Sequence, residues 1–298
     1  MKKLLISAIL LFSVQTMFAQ NDMQISNFMF NTLAFNPASA GNTEYSKVSL
    51  LHRQQWMGFN TAPSSQLLNA DMFFEGVGGV GLSVINDKLG HENSQTVRAM
   101  YSARINLSEN AVLAGGAGLG ILNKSLDKDA LTIEDPDDPT FSALSQNELK
   151  PDFSFGLEFV LKEKMRLGLS TTHLLKSLKN STTFEVPRHY YFFASYNIPA
   201  SETIIITPSL LFKSSKFIHQ AELNCNAKFN NRFWFGFSYR YNTSAVGLLG
   251  VKITDFLQLA YSYDFDMGKQ LKSYSNGTHE IMLVGMFAKK SREFNPSM

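Results

Sequence analysis

Along most of this chain, apolar side chains recur at every second position in runs of roughly ten residues, separated by short polar breaks. Phe153, Phe155, Leu157, Phe159 and Leu161 interleave with Ser154, Gly156, Glu158 and Val160. Phe233, Phe235, Phe237, Tyr239 and Tyr241 interleave in the same way with Arg232, Trp234, Gly236, Ser238 and Arg240. Period two sends successive side chains to opposite faces of a strand. The pattern predicts about fourteen strands, near 45–56, 64–74, 77–86, 93–107, 111–125, 152–162, 164–174, 188–198, 202–213, 218–229, 232–242, 245–254, 256–266 and 278–288. Pro208, inside the ninth, predicts a bulge there.

A face of four or five aromatics, repeated strand after strand, must lie against something apolar, and here that partner is expected to be lipid. The fold class is therefore all-β: a transmembrane outer-membrane β-barrel of about 14 antiparallel strands over 45–288. A soluble β-sandwich also alternates, but its outer faces should be charged rather than rows of Ser, Gly and Asn with an occasional Arg. The breaks alternate too: Glu75-Gly76, Ser108–Asn110, Glu163, Pro199–Ser201, Asn230-Asn231 and Asp255 are tight, whereas 126–151, 175–187 and 267–277 are long. Outer-membrane barrels have short periplasmic turns and longer outer loops. Phe287 near the end of the last strand suits an outer-membrane assembly signal.

Composition fits this picture. Charged residues make up 17% of the 298 positions and aromatics 12%, with 25 Phe among them. Residues 1–19 read as a secretory signal: Lys2 and Lys3, an apolar run from Leu4 to Val14 too short to span as a helix, and cleavage after Ala19. The formal charge of +2 comes from those two lysines, so no basic stripe for nucleic acid remains. A single cysteine, Cys225, excludes an intrachain disulfide framework.

Parity turns Arg53 inward with Tyr45, Lys47, Ser49 and Leu51, and likewise Arg98, Arg104, Arg166 and Arg240. A guanidinium facing lipid at mid-depth costs about 2–4 kcal/mol, so these belong in the lumen, where Glu158, Glu222 and Asp264 are candidate partners. Such a mixed-sign lumen either holds a plug or protein partner or satisfies itself. Trp56, Phe59 and the nearby Pro63 fall at the outer rim, as an aromatic girdle or a ligand shelf. Residues 20–44 do not alternate, yet Met23, Ile25, Phe28, Met29, Phe30, Leu33 and Phe35 make them too apolar for a linker. At the periplasmic mouth, this segment is expected either to fold into the lumen or against the rim, or to form a short capping helix. Residues 289–298 form a C-terminal tail.

Two stretches carry a resemblance. Met23-Gln24-Ile25-Ser26-Asn27-Phe28-Met29-Phe30-Asn31 leads to Asn36-Pro37-Ala38-Ser39-Ala40-Gly41, and Arg53-Gln54-Gln55-Trp56-Met57-Gly58-Phe59 is followed by Ala62-Pro63 and Gln66. With the closing His279-Glu280-Ile281-Met282-Leu283, the chain resembles the PorP/SprF family of type IX secretion system membrane proteins of gliding and related Bacteroidetes. The resemblance implies an outer-membrane barrel serving type IX export and gliding. Its implied partners are membrane lipid, a secreted substrate or adhesin C-terminal domain, and the periplasmic ring or peptidoglycan-associated lipoproteins. Partner binding is assigned to Phe28, Phe30, Asn36, Pro37, Gly41, Arg53, Gln55, Trp56, Phe59, Arg98, Arg104 and Arg240.

No enzymatic signature accompanies these motifs. His52, His91, His173, His189, His219 and His279 lack metal-ligand spacing, and no nucleophile sits beside a base, so neither a catalytic site nor a cofactor is expected. The Gly-rich runs 76–81 and 115–120 open no helix; in barrel strands glycine relieves curvature or leaves lumen space. The acidic run Asp127, Asp129, Glu134, Asp135, Asp137 and Asp138 matches no calcium cage and reads as a solvated outer loop. The expected function is non-enzymatic binding or anchoring of a secreted surface protein. The competing expectations are a porin-like channel for small solutes and a barrel-type lipase or protease using a hydroxyl such as Ser170.

Overall fold

The computed structural model describes residues 22–43, 45–128, 130–131, 147–162, 164–175, 186–268 and 275–288. The strands are β1 (Tyr45–Gln54), β2 (Ser64–Phe74), β3 (Gly78–Leu89), β4 (Glu92–Asn106), β5 (Ala111–Leu126), β6 (Asn147–Leu161), β7 (Met165–Thr172), β8 (His189–Tyr196), β9 (Ile198–Pro199), β10 (Ile204–Ser214), β11 (His219–Phe229), β12 (Phe233–Arg240), β13 (Ser244–Lys252), β14 (Leu257–Asp266) and β15 (Thr278–Ala288). Consecutive strands pair antiparallel, except that β8 and β9 both pair with β10, and β15 returns to pair with β1. The two-residue β9 continues the line of β8, so the sheet closes as a barrel of fourteen staves. Closure leaves no sheet edge, the condition for burying backbone polar groups in lipid.

The alternation separates the two faces as expected. Leu119, Phe155, Phe235, Phe237, Leu249 and Ile281 point outward, each about half exposed or more. On the same strands Glu158, Arg240, Val246 and Glu280 point inward and are buried. The tight connections lie at one end of the barrel. At one of them Asn230 and Asn231 have φ of 48° and 52°, and Arg232 N–H donates to Phe229 O at 2.9 Å. Paired positive φ values give the type I′ turn that matches hairpin twist. At the opposite end lie the longer connections, among them 55–63, although 90–91, 215–218 and 241–243 there are also short.

Two local expectations change. β6 begins at Asn147 rather than near 152, because its first residues stay paired to the far end of β5 (Ser125↔Asn147). Pro208 makes no bulge: Ser209↔Ser195 and Ile206↔Ile198 keep a single register on either side of it. Lacking an N–H, Pro208 instead interrupts the ladder between β8 and β9. Thr207 Oγ1 donates to Asn197 Oδ1 at 2.8 Å across that gap. Of the acidic run, only Asp127 lies within the described residues; its N–H donates to His91 O at 3.0 Å.

Candidate functional site

Residues 22–42 lie inside the barrel. Instead of a capping helix they form three single 3-10 turns, Phe28–Phe30, Thr32–Ala34 and Pro37–Ser39. The segment does not stay at one mouth. Asp22 reaches His173 and His189 at the long-connection end, whereas Gly41 meets Met72 and Gly79 at the tight-turn end. Its apolar side chains pack on an inward aromatic patch: Phe28 lies edge-on to Phe193, Phe35 stacks on Tyr191, and Phe30 tilts against Trp234. With Ile25, Leu51, Leu67, Leu211 and Met282 these rings form the main buried apolar cluster.

A network of buried charges grips the segment toward the long-connection end. Arg53 Nη2 lies 2.6 Å from Asp264 Oδ2, and Arg53 Nη1 lies 3.2 Å from Glu280 Oε2. Arg240 bridges Glu222 and Asp264, each at 2.8 Å. Glu280 also accepts the backbone N–H groups of Ser26 and Asn27 at 2.9 and 2.8 Å, and Asn27 Nδ2 at 2.9 Å. Ser26 Oγ donates to Asp264 Oδ1 at 2.8 Å and accepts from Arg53 Nη1 at 2.8 Å. Buried ions persist only when paired and hydrogen-bonded, and here the inner segment supplies several of the required bonds.

Toward the tight-turn end, a second set of polar contacts holds residues 36–42. Ser39 Oγ donates to Glu158 Oε2 and Asn42 Nδ2 to Glu158 Oε1, at 2.5 and 2.9 Å, with Arg166 Nε on the same carboxylate at 2.8 Å. Gly41 N–H donates to Asp71 Oδ2 at 2.9 Å. Ala40 O accepts from Ser102 Oγ and Arg104 Nη2 at 2.8 and 3.1 Å. Close approach here needs missing side chains. A Cβ on Gly116 would stand 2.4 Å from Ala38 N, and one on Gly79 would stand 1.9 Å from Ala40 O. These glycines of the two Gly-rich runs thus leave lumen space for residues 38–40.

The assigned residues divide by accessibility. Phe28, Asn36, Pro37, Gly41, Arg53, Arg98 and Arg240 are buried in contacts between the segment and the wall, with Phe30 and Arg104 partly so. Arg98 pairs with Asp152 and Arg104 lies over the Phe73 ring, 4.6 Å from its centroid. Gln55, Trp56 and Phe59 stand apart on the connection after β1. There Met57 N–H donates to Gly277 O and Trp56 N–H to Thr278 Oγ1 at 2.9 and 3.2 Å, which ties this connection to the start of β15. Phe59 is exposed and Trp56 half-buried beside a cavity of about 350 Å³ that Arg53, Arg240 and Asp264 also line. Glu280, Asp152 and Asp71 were not among the expected partners of the arginines. Glu280 was open to parity, since Met282 and Val284 on the same strand also face inward. Ser170, the candidate hydroxyl nucleophile, donates to Phe35 O at 2.6 Å.

A second cavity, of about 320 Å³, lies at the tight-turn end between Phe30, Trp234 and the cations Lys164, Arg166, Lys228 and Lys252.

Comparison with solved structures supports the architecture. The Ralstonia pickettii toluene transporter TbuX is similar over 85% of this chain and 92% of its own, with 11% identity and a TM-score of 0.53. The CymD monoaromatic hydrocarbon channel is similar over 92% of this chain and 95% of its own, with 11% identity and a TM-score of 0.52. At that identity the likeness shows a shared barrel fold alone. No curated protein sequence matches the chain. The family profile described as "Type IX secretion system membrane protein PorP/SprF" matches residues 17–284, nearly all of the lumen segment and barrel just described. The chain therefore belongs to the PorP/SprF family of type IX secretion system membrane proteins and is an outer-membrane β-barrel component of that system.

Proposed function

We propose that this protein is a non-enzymatic receptor or anchor that holds a secreted surface protein, an adhesin, for the type IX secretion and gliding machinery. The observation that carries this reading is the occupied lumen. Residues 22–42 run from one end of the barrel to the other, bonded to opposite walls; a segment so placed would act as a plug, which suits a binding component better than a solute channel. The adhesin's C-terminal domain would dock on the rim at Gln55, Trp56 and Phe59. A peptide strand from it would reach Arg53, Arg98, Arg104 and Arg240 only by taking the place of the segment. The cationic cavity around Lys164, Arg166, Lys228 and Lys252 faces the other way and suits an acidic surface on the periplasmic ring or on a peptidoglycan-associated lipoprotein.

Deleting the protein from its host tests the role directly. Surface retention of the adhesin and motility should both fall, and unchanged levels of both would refute it. Planar-bilayer recordings test the alternative, a porin-like channel for small solutes. The intact protein should stay closed, and a steady open state would favour transport instead.

A further inference from the structure

The strongest unassigned chemistry lies where the inner segment begins. His173 follows the last residue of β7 and His189 opens β8, and the pairing Thr172↔His189 sets their rings side by side, centroids 5.9 Å apart. Asp22 reaches between them: Oδ1 is 2.9 Å from His173 Nε2 and Oδ2 is 3.7 Å from His189 Nδ1. One ligand atom from each residue lies within 4.8 Å of the others. Spacing along the sequence hides this trio, because its members meet only through strand pairing and the path of residues 22–42.

Two further observations point to a ligand. His189 is 2% exposed; its Nε2 accepts Asp22 N–H at 3.4 Å, and its Nδ1 has no hydrogen-bond partner among the described residues. His173 Nδ1 lies 2.9 Å from Asp152 Oδ1, and that carboxylate is held in turn by Arg98 Nε at 2.9 Å. A carboxylate on the remote ring nitrogen is the usual support of a metal-binding histidine; it fixes the ring and leaves Nε2 for the ion. The Tyr191 and Thr172 hydroxyls both donate to Asp22 Oδ2, so Oδ1 is left to face His173 Nε2, the contact an ion would replace.

We propose that Asp22, His173 and His189 bind a divalent transition-metal ion of the zinc type, which fastens the start of the inner segment to β7 and β8. Bonds of about 2.0–2.2 Å in a tetrahedron place ligand atoms roughly 3.3–3.5 Å apart, so shifts of about 1 Å or less close the site. Two imidazoles and one carboxylate suit zinc and its first-row neighbours better than calcium or magnesium. A water from the adjoining cavity, lined also by Asp87, Glu92 and Lys124, takes the fourth position. Metal ligands must be deprotonated, so uptake would release any proton held between His173 Nε2 and Asp22 Oδ1. Lys213, whose Nζ lies 3.3 Å from Asp22 O, opposes the ion, while Asp152 and Asp87 offset it.

The test uses the untagged full-length protein in detergent, stripped with a chelator and titrated with Zn²⁺ by calorimetry and with Co²⁺ by visible spectroscopy. We expect one ion per chain and the d–d bands of a tetrahedral Co²⁺ site. Affinity should fall by about a hundredfold or more in H189A and in D22N, and by roughly tenfold or more in D152N. D22N alters no strand residue, so its barrel keeps heat-modifiable migration on gels and reports on the site alone. Absence of stoichiometric uptake by the intact protein, or uptake unchanged in both D22N and H189A, would overturn the assignment.

Discussion

Replacing Glu280 with Gln asks whether the barrel wall holds the inner segment through its buried charges. Every polar neighbour of that carboxylate is a donor: Ser26 N–H, Asn27 N–H, Asn27 Nδ2 and Arg53 Nη1, at 2.9, 2.8, 2.9 and 3.2 Å. Gln has the same shape but turns one acceptor oxygen into an NH₂ group, which must face two of those donors. It also leaves Arg53 with Asp264 alone. Removing one partner of a buried, hydrogen-bonded ion pair typically costs about 3–5 kcal/mol. The strand ladders around Glu280 are untouched, so this cost should fall on the segment and not on the barrel. At about 1.4 kcal/mol per decade, 3 kcal/mol is about a hundredfold loss of protection for the amides of residues 25–31. Native-state hydrogen exchange in detergent, read by mass spectrometry, measures it. Ile281→Val, one residue further on the outward face, should leave those amides unchanged. If Glu280→Gln protects them as well as the parent does, the charged wall is not what seats the segment.

Gly116→Val should unseat residues 36–40, because its first added carbon already meets Ala38 N at 2.4 Å. Overpacking costs about 1–3 kcal/mol, and limited proteolysis near residue 40 reads the loss. Phe28→Ala empties a fully buried site beside Phe193 and should loosen the segment by about 3–5 kcal/mol, seen as faster exchange over 25–35 with heat-modifiable gel migration retained. Leu119→Arg places a cation on the outward face, at a cost of about 2–4 kcal/mol at mid-depth, and should reduce folded protein in outer-membrane fractions. Deleting residues 22–42 should turn a closed barrel into a conducting one in planar bilayers; silence in both forms would show that something else blocks the lumen.

The strands were legible because their two faces have different solvents. Lipid outside selects Phe, Leu and Tyr, while the lumen tolerates Ser, Gly, Arg and Glu, so β4, β12 and β14 show their parity in the chain itself. The signal fades where the lumen is apolar as well. Tyr191, Phe193 and Trp234 face inward between outward aromatics, and an unbroken aromatic run such as Tyr190–Phe193 carries no period. Those inward rings exist to meet Phe28, Phe35 and Phe30, a contact between segments far apart in sequence. The composition of residues 20–44 showed that they must be buried, but their route through the barrel depends on which strands close around them. The same reason conceals Asp22, His173 and His189.

The seam where the first strand meets the last is bonded directly to the inner segment. Arg53 stands on one side of it and Glu280 on the other; Ser26 bonds to both, and Asn27 to Glu280. Threading a chain with three aromatic rings through a cylinder already shut would strip those ions of their partners on the way. A segment seated among the hairpins before closure, with the two ends of the sheet joining over it afterwards, would avoid that cost.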